Sequence, residues 1–170
     1  GTEGVYARHS GLIWPQVCVA WCEALAQAGY REMAFDEMMK LAEKAARDYL
    51  FSEIYHPETG LPYGGIQEDG ARGMVEWASC RRQTWCASGF ISMVLNVFPG
   101  VRYSPSGLAF SPYLPEGTDE ISLSDFPYRQ SRLNITVRRN TSNRLLINGK
   151  ESEMIDSEIK GTNDIIINLR

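Results

Sequence analysis

Trp14-Pro15-Gln16-Val17-Cys18-Val19-Ala20-Trp21-Cys22-Glu23-Ala24-Leu25-Ala26-Gln27, followed after Ala28-Gly29 by Tyr30 to Tyr49, reads as two helices joined by a tight link. Pro15 suits the first helical turn, where its missing N–H is not needed. Trp14, Val17, Cys18, Trp21, Ala24, Leu25 and Ala28 recur at three- and four-residue steps, so the spacing predicts one buried face. Gly29 is a typical C-terminal stop. In the second helix Met33, Ala34, Met38, Leu41, Ala45 and Tyr49 supply the apolar face, with Arg31, Glu37, Lys40, Glu43, Lys44 and Arg47 mostly outside. The pair is an antiparallel αα-hairpin.

Downstream of this hairpin, Tyr49 to Gly65 mixes carboxylates, aromatics, His56, Pro57, Pro62 and several glycines, a composition too irregular for a helix. Glu53, between Ser52 and Tyr55 at a helix exit, is a candidate catalytic carboxylate; the alternative is a carboxylate that braces the loop or faces solvent. Pro57-Glu58-Thr59-Gly60 reads as a turn. Gln67-Glu68-Asp69-Gly70 continues the polar stretch, and 76–83 reads as a loop. A third helix is expected within Thr84 to Phe98. Beyond Pro99-Gly100 the period shifts towards two, and short strands are expected at 107–110, 120–123, 133–138, 144–147, 152–155 and 164–169. Asn148-Gly149 is a strong hairpin signal.

A chain of 170 residues with 44% hydrophobic and 22% charged residues has the composition of a globular protein, not a disordered one. Its net charge of −4 argues against a nucleic-acid partner, which would require a basic stripe. No apolar run reaches membrane-spanning length. Cys18, Cys22, Cys80 and Cys86 lack zinc spacing, so no metal or cofactor is expected, and the compartment stays open. No Walker loop, dinucleotide fingerprint or nucleophile elbow is present.

Several motifs, taken in order, resemble those of the six-hairpin glycosidases. Gly11-Leu12-Ile13-Trp14-Pro15 is similar to their Gly-x-x-Trp-Pro helix start. Ser52-Glu53-Ile54-Tyr55-His56-Pro57-Glu58-Thr59-Gly60 resembles their Glu-x-Tyr-x-Pro-x-Thr-Gly loop. Gln83-Thr84-Trp85-Cys86-Ala87 resembles Gln-x-Trp-Ser-Ala, with Cys86 in place of Ser. Gly107 to Pro115 resembles the link into a C-terminal β-domain. The group includes trehalases, processing α-glucosidases, glycogen-debranching glucosidases and maltose phosphorylase-like enzymes. The resemblance implies a mainly α chain followed by β: the last hairpins of an (α/α)6 toroid over 1–100, then a small antiparallel β-domain over 101–170. It also implies that the chain, which opens on Gly1 without a methionine, is the C-terminal part of a longer enzyme. That chain would pack against a missing N-terminal region that carries the general acid.

By the same resemblance, Glu53 is the general base of an inverting glycosidase acting on an oligosaccharide or glycoside. Inversion needs a protonated carboxyl and an ionised carboxylate about 6.5–9.5 Å apart, with a water between. Trp14, Tyr55 and Trp85 are candidates for stacking on sugar, since a flat ring matches the apolar face of a pyranose; Trp77 is a further one, and Trp21 reads as core. His56 and Gln83 are candidate hydrogen-bonding partners of sugar hydroxyls, although a lone histidine before proline is more often a loop brace. Two alternatives stand beside the hydrolase: a disaccharide phosphorylase of the same group, and a non-catalytic carbohydrate-binding or interaction module.

Overall fold

The computed structural model describes residues 6–170. The chain divides into two compact units, Gly1–Met93 and Val94–Arg170.

The first unit opens with helices α1 (Pro15–Gln27) and α2 (Arg31–Asp48), packed as a hairpin. Gly29, at φ 90°, lets Tyr30 N–H reach back to Leu25 O at 2.9 Å and close α1. The buried stripe of α1 is Pro15, Cys22, Leu25 and Ala26, not the one expected. Val17 is 62% and Trp21 52% exposed, which corrects the core reading of Trp21. Apolar residues cover most of this helix, so spacing alone does not select between adjacent stripes. Small side chains do: Cys22 and Ala26 admit α2 closely enough for Cys22 Sγ to donate to Ala34 O at 3.3 Å. On α2, Ala34, Met38 and Leu41 are buried, as the spacing predicts.

After α2 the chain does not return to α-helix until Thr84. Gly60, Gly65, Gly70 and Gly73 all take positive φ, and a loop tied by isolated bridges (Ala7 with Ile66, Ile13 with Tyr55, Tyr55 with Pro62) leads into a two-stranded hairpin. Its strands are β1 (Ile66–Glu68) and β2 (Met74–Glu76), flanking a short 3-10 turn at Gly70–Arg72. Helix α3 (Thr84–Val97) comes next, and its final turn belongs to the second unit.

The second unit is built from two sheets. Strands β3 (Val101–Ser104), β4 (Gly107–Phe110) and β9 (Ile155–Asp156) form one, in the order β3-β4-β9. Strands β5 (Glu120–Tyr128), β6 (Ser131–Arg139), β7 (Arg144–Ile147), β8 (Lys150–Ser152) and β10 (Gly161–Leu169) form the other, in the order β5-β6-β10-β7-β8. Alternate residues Leu133, Ile135 and Val137 of β6 and Ile165 and Ile167 of β10 point into one core with Val101, Leu108 and Ile155 of the smaller sheet. Asn148 and Gly149, both at positive φ, make the β7–β8 turn that the dipeptide signals. Two buried amides hold β10 in register: Asn163 accepts from Asn148 Nδ2 at 2.8 Å, and Asn168 accepts from Arg138 Nε at 2.9 Å.

This architecture overturns the expected fold class. With three α-helices among the described residues, 33% strand and 29% helix, the chain is a mixed α/β protein rather than a mainly α one ending a six-hairpin toroid. The stretch between α2 and α3 is where further helix would be needed, and its glycines and prolines direct it into turns and a hairpin. The larger sheet is also not purely antiparallel, because β10 runs parallel to β6 from Gly161–Ser131 to Leu169–Arg139.

Candidate functional site

Glu53 leaves α2 on a segment whose backbone is pinned on two sides. Its N–H donates to Cys80 O at 2.9 Å, and Ile54 exchanges hydrogen bonds with the Ser79 hydroxyl at 3.0 and 2.8 Å. The carboxylate is mostly buried, at 12% side-chain exposure, and is paired with Arg8, whose Nη2 donates to Oε2 at 3.1 Å. Cys80 N–H donates to the same oxygen at 3.4 Å. Among the described residues Oε1 accepts no hydrogen bond.

Arg8 is itself held in place. Its Nη1 donates to Gly64 O at 2.8 Å, its carbonyl accepts from Trp14 Nε1 at 2.8 Å, and its guanidinium lies 5.6 Å from the Trp14 ring and 5.8 Å from the Trp77 ring. Gly64 is required here by space. A Cβ on it would stand 2.2 Å from Trp77 O, so any side chain would push the Gly64 backbone, which accepts from Arg8, away from the Trp77–Ala78 backbone. A cleft of about 320 Å³ opens along this segment, lined by Tyr63, Gly64, Glu76, Trp77, Ser79 and Arg81.

The expected site residues separate in this geometry. Trp14 joins the Glu53 cluster through Arg8. Tyr55 is fully buried, and its hydroxyl accepts from Ser52 N–H at 3.0 Å. Burial pushes its phenol pKa up. His56 braces the turn: Nδ1 accepts from Glu58 N–H at 3.2 Å and Thr59 N–H at 3.4 Å, and the ring packs between Tyr6 and Tyr63. Gln83 uses its backbone N–H on Phe51 O at 2.7 Å, while its side-chain amide makes no hydrogen bond among the described residues. Trp85 is 47% exposed on the first turn of α3, and no hydrogen bond or ring contact joins it to Glu53 among the described residues. Trp77, 40% exposed, stands closer to the cluster.

Sequence reasoning did not find Arg8. It lies 45 residues from Glu53 in the chain, and no local motif marks it. Cys86 is buried below the same segment, with Sγ 4.0 Å from Glu53 O, and burial raises its thiol pKa to about 11. No cluster of three or more His, Cys, Asp or Glu suited to a metal occurs among the described residues, and there no helix is long and apolar enough to cross a membrane.

Residues 101–155 match the glycosyl hydrolase family 65 C-terminal domain. The match runs from β3 to β9, within the second unit, and no curated protein matches the chain. It supports a relation to glycoside hydrolases. It does not reach the residues around Glu53.

Proposed function

We propose that the protein takes part in cleaving glycosidic bonds, with Glu53 as the general base of an inverting reaction. The observation that carries this reading is the one-sided anchoring of the Glu53 carboxylate. Oε2 is held by Arg8 and by Cys80 N–H, while among the described residues Oε1 accepts no hydrogen bond. A base that activates water needs such an arrangement: one oxygen fixes the orientation and the other takes the proton. As water attacks the anomeric carbon, its proton passes to Oε1 while the glycosidic C–O bond on the opposite face breaks and the leaving oxygen takes a proton from the second carboxyl; the Arg8 guanidinium remains hydrogen-bonded to Oε2.

Trp77 supplies flat apolar surface for a pyranose at the cleft, and Trp14 takes part through its contact with Arg8. The second carboxyl that inversion requires has no candidate inside the Arg8–Glu53 cluster among the described residues. The family match extends the reading to phosphorolysis, and Arg81 on the cleft wall is the cation that a phosphate would meet there.

The test is proton NMR of α- and β-linked disaccharides incubated, with and without phosphate, with the protein expressed from its complete gene. Glu53→Gln is run alongside. Inverted product that disappears with the substitution supports the assignment. Near-normal turnover by Glu53→Gln refutes it, and no cleavage of any sugar moves the reading to a carbohydrate-binding module.

A further inference from the structure

A second cavity, of about 260 Å³, lies between α1 and α2, apart from the Arg8–Glu53 cluster. Its floor is apolar, formed by Ile13, Pro15, Leu41 and Tyr55, with Cys18 beside them. Three charged residues reach it. Lys40 and Glu37 neutralise each other in an ion pair of 2.7 Å. Lys44 is half-buried, with its ammonium 5.9 Å from the Tyr55 ring; among the described residues it forms no ion pair within 4 Å and acts on Asp48 only through longer-range charge. One cation with no direct ion pair among the described residues, at the edge of an apolar cavity, is complementary to a ligand with an apolar body and a single negative charge.

We propose that this cavity binds a small amphipathic carboxylate, of the aryl or branched-alkyl class. Its apolar body lies against Ile13 and Cys18, the partly exposed apolar residues of the cavity, above the buried Pro15, Leu41 and Tyr55, and its carboxylate pairs with Lys44. The Lys40–Glu37 pair forms the polar edge and disfavours a second negative charge on the ligand, because Glu37 faces the same space.

The probe is sodium benzoate, titrated into isotopically labelled protein and followed in proton–nitrogen correlation spectra. Benzyl alcohol serves as the uncharged comparison and acetate as the bodiless one. Saturable shifts confined to Ile13, Cys18, Leu41, Lys44 and Tyr55 are expected with benzoate. Loss of a charge-assisted contact predicts binding about tenfold weaker for benzyl alcohol and for benzoate on Lys44→Gln, with Lys44→Arg retaining the affinity. Acetate should give no saturable shift. The proposal is overturned if benzoate produces no saturable shift at these residues, or if benzyl alcohol binds as tightly. The second comparison uses the unsubstituted protein, so it decides the matter even if Lys44→Gln fails to fold.

Discussion

Replacing Arg8 with Met removes one charge and keeps most of the side chain's length, so the consequences can be worked from the contacts. The hydrogen bond to Glu53 Oε2 is charge-assisted and contributes about 1.5–3 kcal/mol, and the bond to Gly64 O about 1 kcal/mol. The cation over Trp14 and Trp77 adds roughly 0.5–1 kcal/mol per ring. Partial replacement by Met contacts offsets some of this, which leaves a loss of about 3 kcal/mol, the range found when one member of a buried pair is removed. Glu53→Gln should cost less, about 1–2 kcal/mol, because the amide oxygen still accepts from Arg8.

The double variant isolates the pair, and a coupling of about 1.5 kcal/mol is expected. Urea unfolding followed by tryptophan fluorescence suits this measurement. Trp14, Trp21, Trp77 and Trp85 all lie in the first unit, so the signal reports the unit that contains the substitutions. A coupling below about 0.5 kcal/mol would refute the reasoning, since it would place the contact among exposed ion pairs of little worth.

Other perturbations separate the parts of the molecule. Gly64→Ala forces a Cβ against the Trp77 carbonyl, and overpacking of this kind costs about 1–3 kcal/mol; an unchanged urea midpoint would show that the two backbones yield freely. Ile165→Ala, in the fully buried middle of β10, should destabilise the second unit by about 2–5 kcal/mol, read by circular dichroism rather than by tryptophan fluorescence. Cys80 is exposed while Cys22 and Cys86 are buried with thiols pushed up to about 11. Iodoacetamide at neutral pH should therefore modify Cys80 first and spare the other two until unfolding, a pattern that peptide mass mapping reads directly. The same two thiols set a pH dependence. The unfolded chain releases these protons near the ordinary value of 9.0 while the folded chain keeps them to about 11. Their contribution to stability is therefore complete below pH 9 and is lost as pH rises towards 11, on the order of 2 kcal/mol for each thiol. Cys22→Ala and Cys86→Ala should flatten that loss.

The legible features were those governed by local chemistry. Pro15 and Gly29 mark the ends of α1, Thr84 opens α3, and Asn148-Gly149 turns β7 into β8, because each of these depends on a few consecutive residues. The illegible ones depend on contacts across the fold. Trp21 has the spacing of a core residue, yet Cys22 and Ala26 take the buried stripe because α2 needs small partners. His56, by contrast, follows the reading that a lone histidine before proline is more often a loop brace, since its ring nitrogen is occupied by backbone amides. Arg8 carries no signature at all; its placement depends on Gly65, which leaves room for the Arg8 backbone, and on Gly64 O, which accepts from its guanidinium. The resemblance to six-hairpin enzymes pointed to carbohydrate chemistry but overstated the helical content, since a motif can sit at a helix start without fixing the structure of the residues downstream.

The position of β10 bears on how the protein comes off the ribosome. The β5–β6 and β7–β8 hairpins are both complete in the nascent chain before Gly161 to Leu169 is made, and that strand then enters between them. Until it does, β6 and β7 each present an open edge of unpaired amides and carbonyls, the template on which neighbouring chains pair. Synthesis that stalls shortly before Gly161 would thus release a product with two adhesive edges, and the buried Asn163 and Asn168 would be absent from the half-built sheet that they align.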